Sequence, residues 1–292
     1  MFHGSITALI TPFKNGEIDW PAYENFIEWQ ISNGTHALVP CGTTGESPTL
    51  THDEHMSIIK RCVDVVKGRI PIIAGTGSNS TQEAIELTQH AKESGADAAL
   101  IVTPYYNKPS QDGMYAHYRA IHDATDFPIV IYNIPGRCVI DMSVETMAEL
   151  AKLPKIIAVK DAAGDLSRPL LTRDAIGHDF CQLSGDDITA AAFLAQGGVG
   201  CISVLSNIAP KESANMQNAW HTGDIETFTT LRDRLLPLAR DLFCESNPSP
   251  VKYAAKLLGI CSDEVRLPLL PLSKKNHPII ERAVSSVNLK GI

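Results

Sequence analysis

The sequence predicts an α/β fold, a (β/α)8 or TIM barrel with a C-terminal helical extension. Three observations carry that expectation. Short, wholly apolar, β-favouring runs recur along most of the chain, with amphipathic stretches between most of them. Roughly eight such strand–helix units suit a barrel of about 250 residues, and the chain has 292. After Val204 the strand signal stops and only helical patterns follow.

In chain order the apolar runs are Ile6–Ile10, Ala37–Val39, Ile70–Ala74, Ala98–Val102, Ile129–Tyr132, Ile156–Lys160, Phe180–Leu183 and Gly200–Val204. Runs without apolar/polar alternation are what strands buried on both faces of a parallel sheet require. The helical stretches carry the expected punctuation. Thr51-His52-Asp53-Glu54 and Ser80-Thr81-Gln82-Glu83 fit the capping box, a hydroxyl with a carboxylate three residues on. Gly34, Gly68 and Gly95 stand where helices close on a left-handed residue. A doubly wound open sheet shows the same alternation, so periodicity alone leaves that alternative standing. Beyond Lys211 the pattern predicts helices over Ile225–Leu242, bent at Pro237, then Pro250–Leu258 and His277–Val287. No Ser/Gly-rich linker marks a hinge. The expected division is a catalytic barrel over 1–224 and a helical extension over 225–292.

Composition narrows the function classes. Apolar residues make up 44% and charged residues 20%, the profile of a packed globular core. With 25 Lys+Arg against 33 Asp+Glu the formal charge is −8, and no basic stripe suggests a nucleic-acid partner. No apolar run reaches the roughly 18 residues of a membrane span. The opening Met-Phe-His-Gly-Ser lacks a basic region and Pro12 interrupts the apolar stretch after it, so no signal peptide is expected. Seven scattered cysteines without a Cys-x-x-Cys pair read as reduced thiols of a cytoplasmic protein. His52 and His55 form the one close histidine pair and have no evident third ligand, so no metal is expected.

The site of a parallel barrel is built at the C-terminal ends of its strands, and these ends carry the residues of interest. Gly42-Thr43-Thr44-Gly45-Glu46-Ser47 follows the second run, with glycines, paired hydroxyls and backbone N–H groups suited to an anion cradle. It fits equally a tight βα turn, and it lacks the Gly-Lys-Ser/Thr ending of a phosphate-binding P-loop. Lys160 ends an apolar strand, where desolvation favours the neutral amine that attacks carbonyls. Tyr132 offers a proton shuttle and Arg137 a fork for a carboxylate. Tyr105 and Tyr106 follow the Ala98–Val102 run. Each has a structural alternative as a core or rim residue, but all are expected at one face.

Four motifs, Gly42-Thr43-Thr44-Gly45-Glu46-Ser47, Pro104-Tyr105-Tyr106-Asn107-Lys108-Pro109, Tyr132-Asn133-Ile134-Pro135-Gly136-Arg137 and Val159-Lys160-Asp161, occur in an order and spacing that resembles the dihydrodipicolinate synthases. These class I aldolases belong to the N-acetylneuraminate lyase superfamily and are also called 4-hydroxy-tetrahydrodipicolinate synthases. The resemblance extends to Ser246-Asn247-Pro248-Ser249-Pro250-Val251-Lys252 in the helical tail. The glycine–threonine loop and the lysine are common to the superfamily, whereas the arginine of the tyrosine loop is more specific to the synthases. The resemblance implies condensation of pyruvate with (S)-aspartate 4-semialdehyde, the first committed step of diaminopimelate and L-lysine biosynthesis, with no cofactor. It implies an imine at Lys160 and a proton relay of Thr43, Tyr132 and Tyr106, the last crossing a tight-dimer interface. Thr44 would hold the pyruvate carboxylate, Arg137 that of the semialdehyde, and Gly185 and Ile202 would line the site. A homotetramer built as a dimer of dimers is implied as well. Ser47, His52, His55, Asn79, Glu83 and Tyr105 match positions at which lysine-inhibited members bind L-lysine. The sequence departs at Cys138 and Ala163, where threonine is common, and at Pro48, where smaller residues also occur. Competing readings are a 2-keto-3-deoxy sugar-acid aldolase or N-acetylneuraminate lyase, and a non-catalytic small-molecule-binding barrel.

Overall fold

The structure, a computed structural model, describes residues 2–289 and 291. Eight parallel strands alternate with helices: β1 (Gly4–Ala8), β2 (Ala37–Val39), β3 (Ile73–Gly75), β4 (Ala98–Val102), β5 (Ile129–Asn133), β6 (Ile156–Asp161), β7 (Cys181–Ser184) and β8 (Gly200–Ser203). Almost every residue in them is buried, which is why the sequence shows runs rather than alternation. The sheet order is β2-β1-β8-β7-β6-β5-β4-β3. The first strand lies beside the last and the order then descends without reversal. A doubly wound sheet reverses at a switch point; this order is that of a barrel.

By contact the chain divides into two compact units. One spans Pro71–Ile202 with the first few residues and holds β3 to β7 and most of β8. Its ladders are in regular parallel register except at one place. Ile129 of β5 faces Ile156 of β6, but Val130 faces Ala158, so Ile157 is an inserted bulge residue. The helices between its strands include α3 (Thr81–Ser94), α4 (Gln111–Thr125), α5 (Val144–Ala151), α6 (Arg168–Ile176) and α7 (Ala190–Ala195), with a single turn at Pro135–Cys138.

The other unit comprises Gly4–Ile70 and Ser203–Ile292. It pairs β1 with β2, Thr7 opposite Leu38, and adds a small hairpin of Phe13–Lys14 with Glu17–Ile18. Its helices are α1 (Trp20–Ser32), α2 (His52–Val66), α8 (Pro210–Thr222), α9 (Ile225–Asp241), α10 (Ser249–Leu257) and α11 (His277–Val287), and Pro237 lies inside α9. The Thr51 capping box is complete: Thr51 accepts from Glu54 N and the Glu54 carboxylate accepts from Thr51 N. At Ser80 only half of the box forms. Ser80 caps Glu83 N, but the Glu83 carboxylate accepts instead from the Ser78 hydroxyl, which in turn accepts from Ser80 N. Gly95 caps its helix directly, whereas Gly34 and Gly68 stand one residue past the caps Asn33 and Lys67. Among the described residues no helix is long and apolar enough to cross a membrane.

Candidate active site

Lys160 is next to last in β6 and only 6% exposed. It lies opposite Tyr132 of β5 and Leu183 of β7. The bulge at Ile157 sets this pairing. Without the extra residue Tyr132 would face Val159, whose side chain points to the other side of the sheet. With it, the Lys160 ammonium lies 4.0 Å from the centroid of the buried Tyr132 ring, a cation–π contact that holds the amine over the aromatic face. Gly185, just after β7, fits because it has no side chain. A Cβ there would stand 2.7 Å from Ala162 Cβ and 3.1 Å from Lys160 Cε. Ile202 of β8 is buried. Its neighbour Cys201 has a thiol pushed well up by burial and further by Asp187, against the pull of the nearby Lys160 charge.

Arg137 lies on the single turn after β5 and is exposed. That turn closes on Val139, an exposed β-branched residue at φ 69. Tyr106, in the loop after β4, also has φ 69 and is 91% exposed. A left-handed conformation is uncommon outside glycine and asparagine, and a bulky residue held there is a genuine outlier. Tyr106 therefore adds nothing to the packing of its own chain while its backbone is held in a costly shape.

In the other unit, the glycine–threonine loop leads from β2 into a 3-10 turn at Ser47–Thr49. Three of the loop's backbone donors turn inward. Gly45 N and Ser47 N donate to Gly42 O, and Glu46 N donates to Thr43 O, so these donors are used inside the loop. Sequence reasoning missed how the loop is held. The Thr44 hydroxyl accepts from Asn247 Nδ2 at 2.9 Å, both residues being buried. Glu46 sits at φ 58 and is buried, paired with Lys252, whose side chain is 0% exposed. Burial draws the Lys252 ammonium down while Glu46 opposes that. Lys252 Nζ also donates to Glu264 O at 2.7 Å and lies 4.2 Å from the Phe13 ring centroid. Glu46 accepts from Arg266 N at 2.9 Å. Thr43 is half-buried beside these residues in the chain.

The second cluster falls in two sets. In the unit that holds Lys160, Glu83, Asn79 and Tyr105 gather around Ser78. Partial burial and the Glu83 charge raise the Tyr105 phenol, against hydrogen bonds from Asn79 and Ser78. In the other unit, Ser47 is half-buried, while His52 and His55 share the first turns of one helix with His52 exposed and His55 buried.

The dihydrodipicolinate synthetase family matches residues 1–287. The chain belongs to that family. The 4-hydroxy-tetrahydrodipicolinate synthase of Rhodospirillum centenum is 63% identical over 289 residues, covering 99% of each chain. Among solved structures, the chloride-inhibited dihydrodipicolinate synthase of Acinetobacter baumannii, complexed with pyruvate, superposes with a TM-score of 0.97 at 45% identity, covering 99% of this chain and 100% of that one. The Cyanidioschyzon merolae enzyme with lysine bound gives 0.95 at 40% identity, covering 98% of each chain. The fold is a (β/α)8 barrel with C-terminal helices.

Of the three departures noted in the sequence, Cys138 and Ala163 stand next to Arg137 and three residues after Lys160 in the chain. Cys138 is buried behind Arg137, its thiol raised by burial with Thr103 and Arg137 opposing. Ala163 presents its N–H to the Asp161 carboxylate at 2.8 Å, a bond that needs no particular side chain. The Thr44–Asn247 and Glu46–Lys252 pairs could not be read locally, since Thr44 and Asn247 stand 203 residues apart. Their one sequence signal is the Ser246–Lys252 motif of the tail.

Proposed function

We propose that the chain condenses pyruvate with (S)-aspartate 4-semialdehyde to give 4-hydroxy-tetrahydrodipicolinate. The observation that carries this reading is the lysine buried at the end of β6 with its amine held over Tyr132. The neutral amine adds to the ketone of pyruvate and loses water, giving a protonated imine. That cation takes up the electron pair of a methyl C–H bond as the proton passes to the Tyr132 relay, leaving an enamine. The enamine carbon attacks the aldehyde, and Tyr132 delivers the proton to the new alkoxide, with Thr43 and Tyr106 relaying it. The substrate's amino group then attacks the imine carbon, closes the ring and expels Lys160. Thr44, oriented by Asn247, holds the pyruvate carboxylate, and Arg137 holds that of the semialdehyde. Gly185 and Ile202 shape the space around the amine.

The exposure of Tyr106 supports a role in a neighbouring subunit's relay; a homotetramer assembled as a dimer of dimers, working in the cytoplasm, is proposed on the family resemblance alone. L-lysine is proposed to inhibit through Asn79, Glu83 and Tyr105 together with Ser47, His52 and His55. Glu83 suits the ligand's α-ammonium, Asn79 and Tyr105 its carboxylate. Tyr105 adjoins Tyr106, so ordering one moves the other.

Borohydride reduction in the presence of pyruvate, followed by intact-mass measurement, tests the reading. A single reduced adduct is expected on wild type and none on Lys160→Ala, with condensation assayed in parallel and slowed by millimolar L-lysine. An adduct on Lys160→Ala, or none on wild type, overturns the assignment.

A further inference from the structure

One guanidinium ties the strand of the reactive lysine to the loop that carries Arg137. Arg168, at the start of α6, is 8% exposed and uses all three of its nitrogens. Nε donates to Asp161 Oδ2 at 2.9 Å, Nη2 to Met142 O at 2.7 Å, and Nη1 approaches Asp141 Oδ2 at 3.4 Å. Asp161 directly follows Lys160. Its other carboxylate oxygen accepts from Ala163 N, and its carbonyl accepts from Gly185 N at 2.7 Å. Asp141 and Met142 close the loop that opens at Ile134. Asn133, fully buried, staples the base of that loop: Nδ2 donates to Asp141 Oδ1 at 2.7 Å and Oδ1 accepts from Met142 N at 3.1 Å. Asn133 and Asp161 are also register partners across β5 and β6. The result is a closed ring, Asn133–Asp141–Arg168–Asp161, which joins the strand that carries Lys160 to the loop that carries Arg137.

We infer that Arg168 is a positioning residue, which sets the Arg137 loop at a fixed place relative to Lys160. The arrangement fits no simpler role. A surface helix start would be served by any polar residue, and a bare counter-ion for Asp161 needs one donor, not three. Asp161 is nearly buried, so its charge needs the guanidinium. The fork geometry then reaches two further acceptors that a lysine ammonium at the same place could not satisfy together. Because imine formation involves Lys160 alone while capture of the second substrate involves Arg137, the brace acts mainly on the second half of the reaction. This inference rests on the condensation proposed above.

Two variants and two readouts test it. Arg168→Lys keeps the charge and loses the fork. Asp141→Ala removes the loop side of the ring, including the acceptor of Asn133 Nδ2, at a residue whose side chain is 47% exposed, and leaves the Arg168–Asp161 pair in place. Hydrogen exchange followed by mass spectrometry on the segment 134–142 is expected to quicken in both variants, with other segments unchanged. In the assay, KM for the semialdehyde should rise about tenfold, as expected for loss of a charge-assisted contact, while the rate of borohydride trapping with pyruvate stays within about threefold of wild type. Unaltered exchange over 134–142 in both variants overturns the inference. So does an equal loss of trapping and of semialdehyde affinity, which marks general damage. A wild type that traps no pyruvate refutes the condensation instead, and the exchange measurement still decides the brace.

Discussion

At Gly185 the absence of one methyl group decides where a lysine can stand. The Cβ of an alanine there would lie 2.7 Å from Ala162 Cβ, 3.1 Å from Lys160 Cε and 3.2 Å from Asp161 O. The lysine chain yields most readily, which moves the amine off the Tyr132 ring, and a small shift of the backbone just after β7 relieves the 2.7 Å contact with Ala162. The Gly185→Ala enzyme is therefore expected to keep its fold and to form the pyruvate imine at least about tenfold more slowly, since displacements of about 1 Å at a reacting group cost on that order or more. Stopped-time borohydride trapping measures this directly, and a wild-type trapping rate would show that Lys160 reaches its position by other means. Tyr106 and Val139 make the complementary case. Both hold positive φ on exposed loops, where nothing in the packing of the chain itself rewards it. Such strain is retained where loop shape matters more than stability.

Elements carry the next level of constraint, and here the loop of Thr43 and Thr44 depends on the helix Ser249–Leu257. The Glu46–Lys252 pair is fully buried. Removing one partner leaves the other charge in the core, at a cost of about 3–5 kcal/mol, whereas an apolar or neutral pair of similar shape can be nearly free. Lys252→Met alone should thus lower the urea-unfolding free energy by about that amount, and adding Glu46→Gln should recover much of it. Strict additivity of the two changes would mean that the pair is not coupled. The pairing was not legible in the sequence: Glu46 stands in the loop motif and Lys252 ends the Ser246–Lys252 motif of the tail, and nothing in either motif says that the two meet. The strands were legible, because burial on both faces writes a continuous apolar run. Lys160, Tyr132 and Arg137 were legible as strand-end residues for the same reason. Their mutual placement was not: it hangs on the Ile157 bulge, and a bulge leaves no mark in an apolar run. Closure of the sheet was hidden too, since alternation is identical in open and closed sheets and only the position of β1 beside β8 separates them. The Ser80 box shows the reverse error, a correct local pattern whose carboxylate found Ser78 instead.

On the scale of the whole molecule, acid sensitivity follows from groups that folding holds away from their usual protonation. His117 is the clearest. It is 5% exposed on α4, with Nδ1 at 2.9 Å from the Thr81 hydroxyl and its ring edge-on to Tyr118, and desolvation brings it from the usual 6.5 down to about 4. The unfolded chain takes up a proton at this residue below pH 6.5, and the folded chain does not until about pH 4. A depressed group of this kind contributes stability in full above the unfolded value and loses it as pH falls toward the folded one. The loss is about 2 kcal/mol by pH 5 and about 3 kcal/mol when complete. Glu54, held down to about 2 by the Arg266 guanidinium and the Thr51 cap, follows the same sign in a lower window, between the usual 4.5 and about 2. The two windows barely overlap, so they separate in a titration. Urea-unfolding free energies measured from pH 7.5 to 4.5 should fall steeply in wild type below pH 6.5. In His117→Gln, whose amide can still meet Thr81 and cannot titrate, the curve should fall much less steeply, the remaining slope coming from His90, which desolvation also lowers, until carboxylates begin to protonate near the usual 4.5. Equal slopes for the two proteins between pH 6.5 and 5 would show that protonation of His117 does not set acid stability, and that the loss arises from another group.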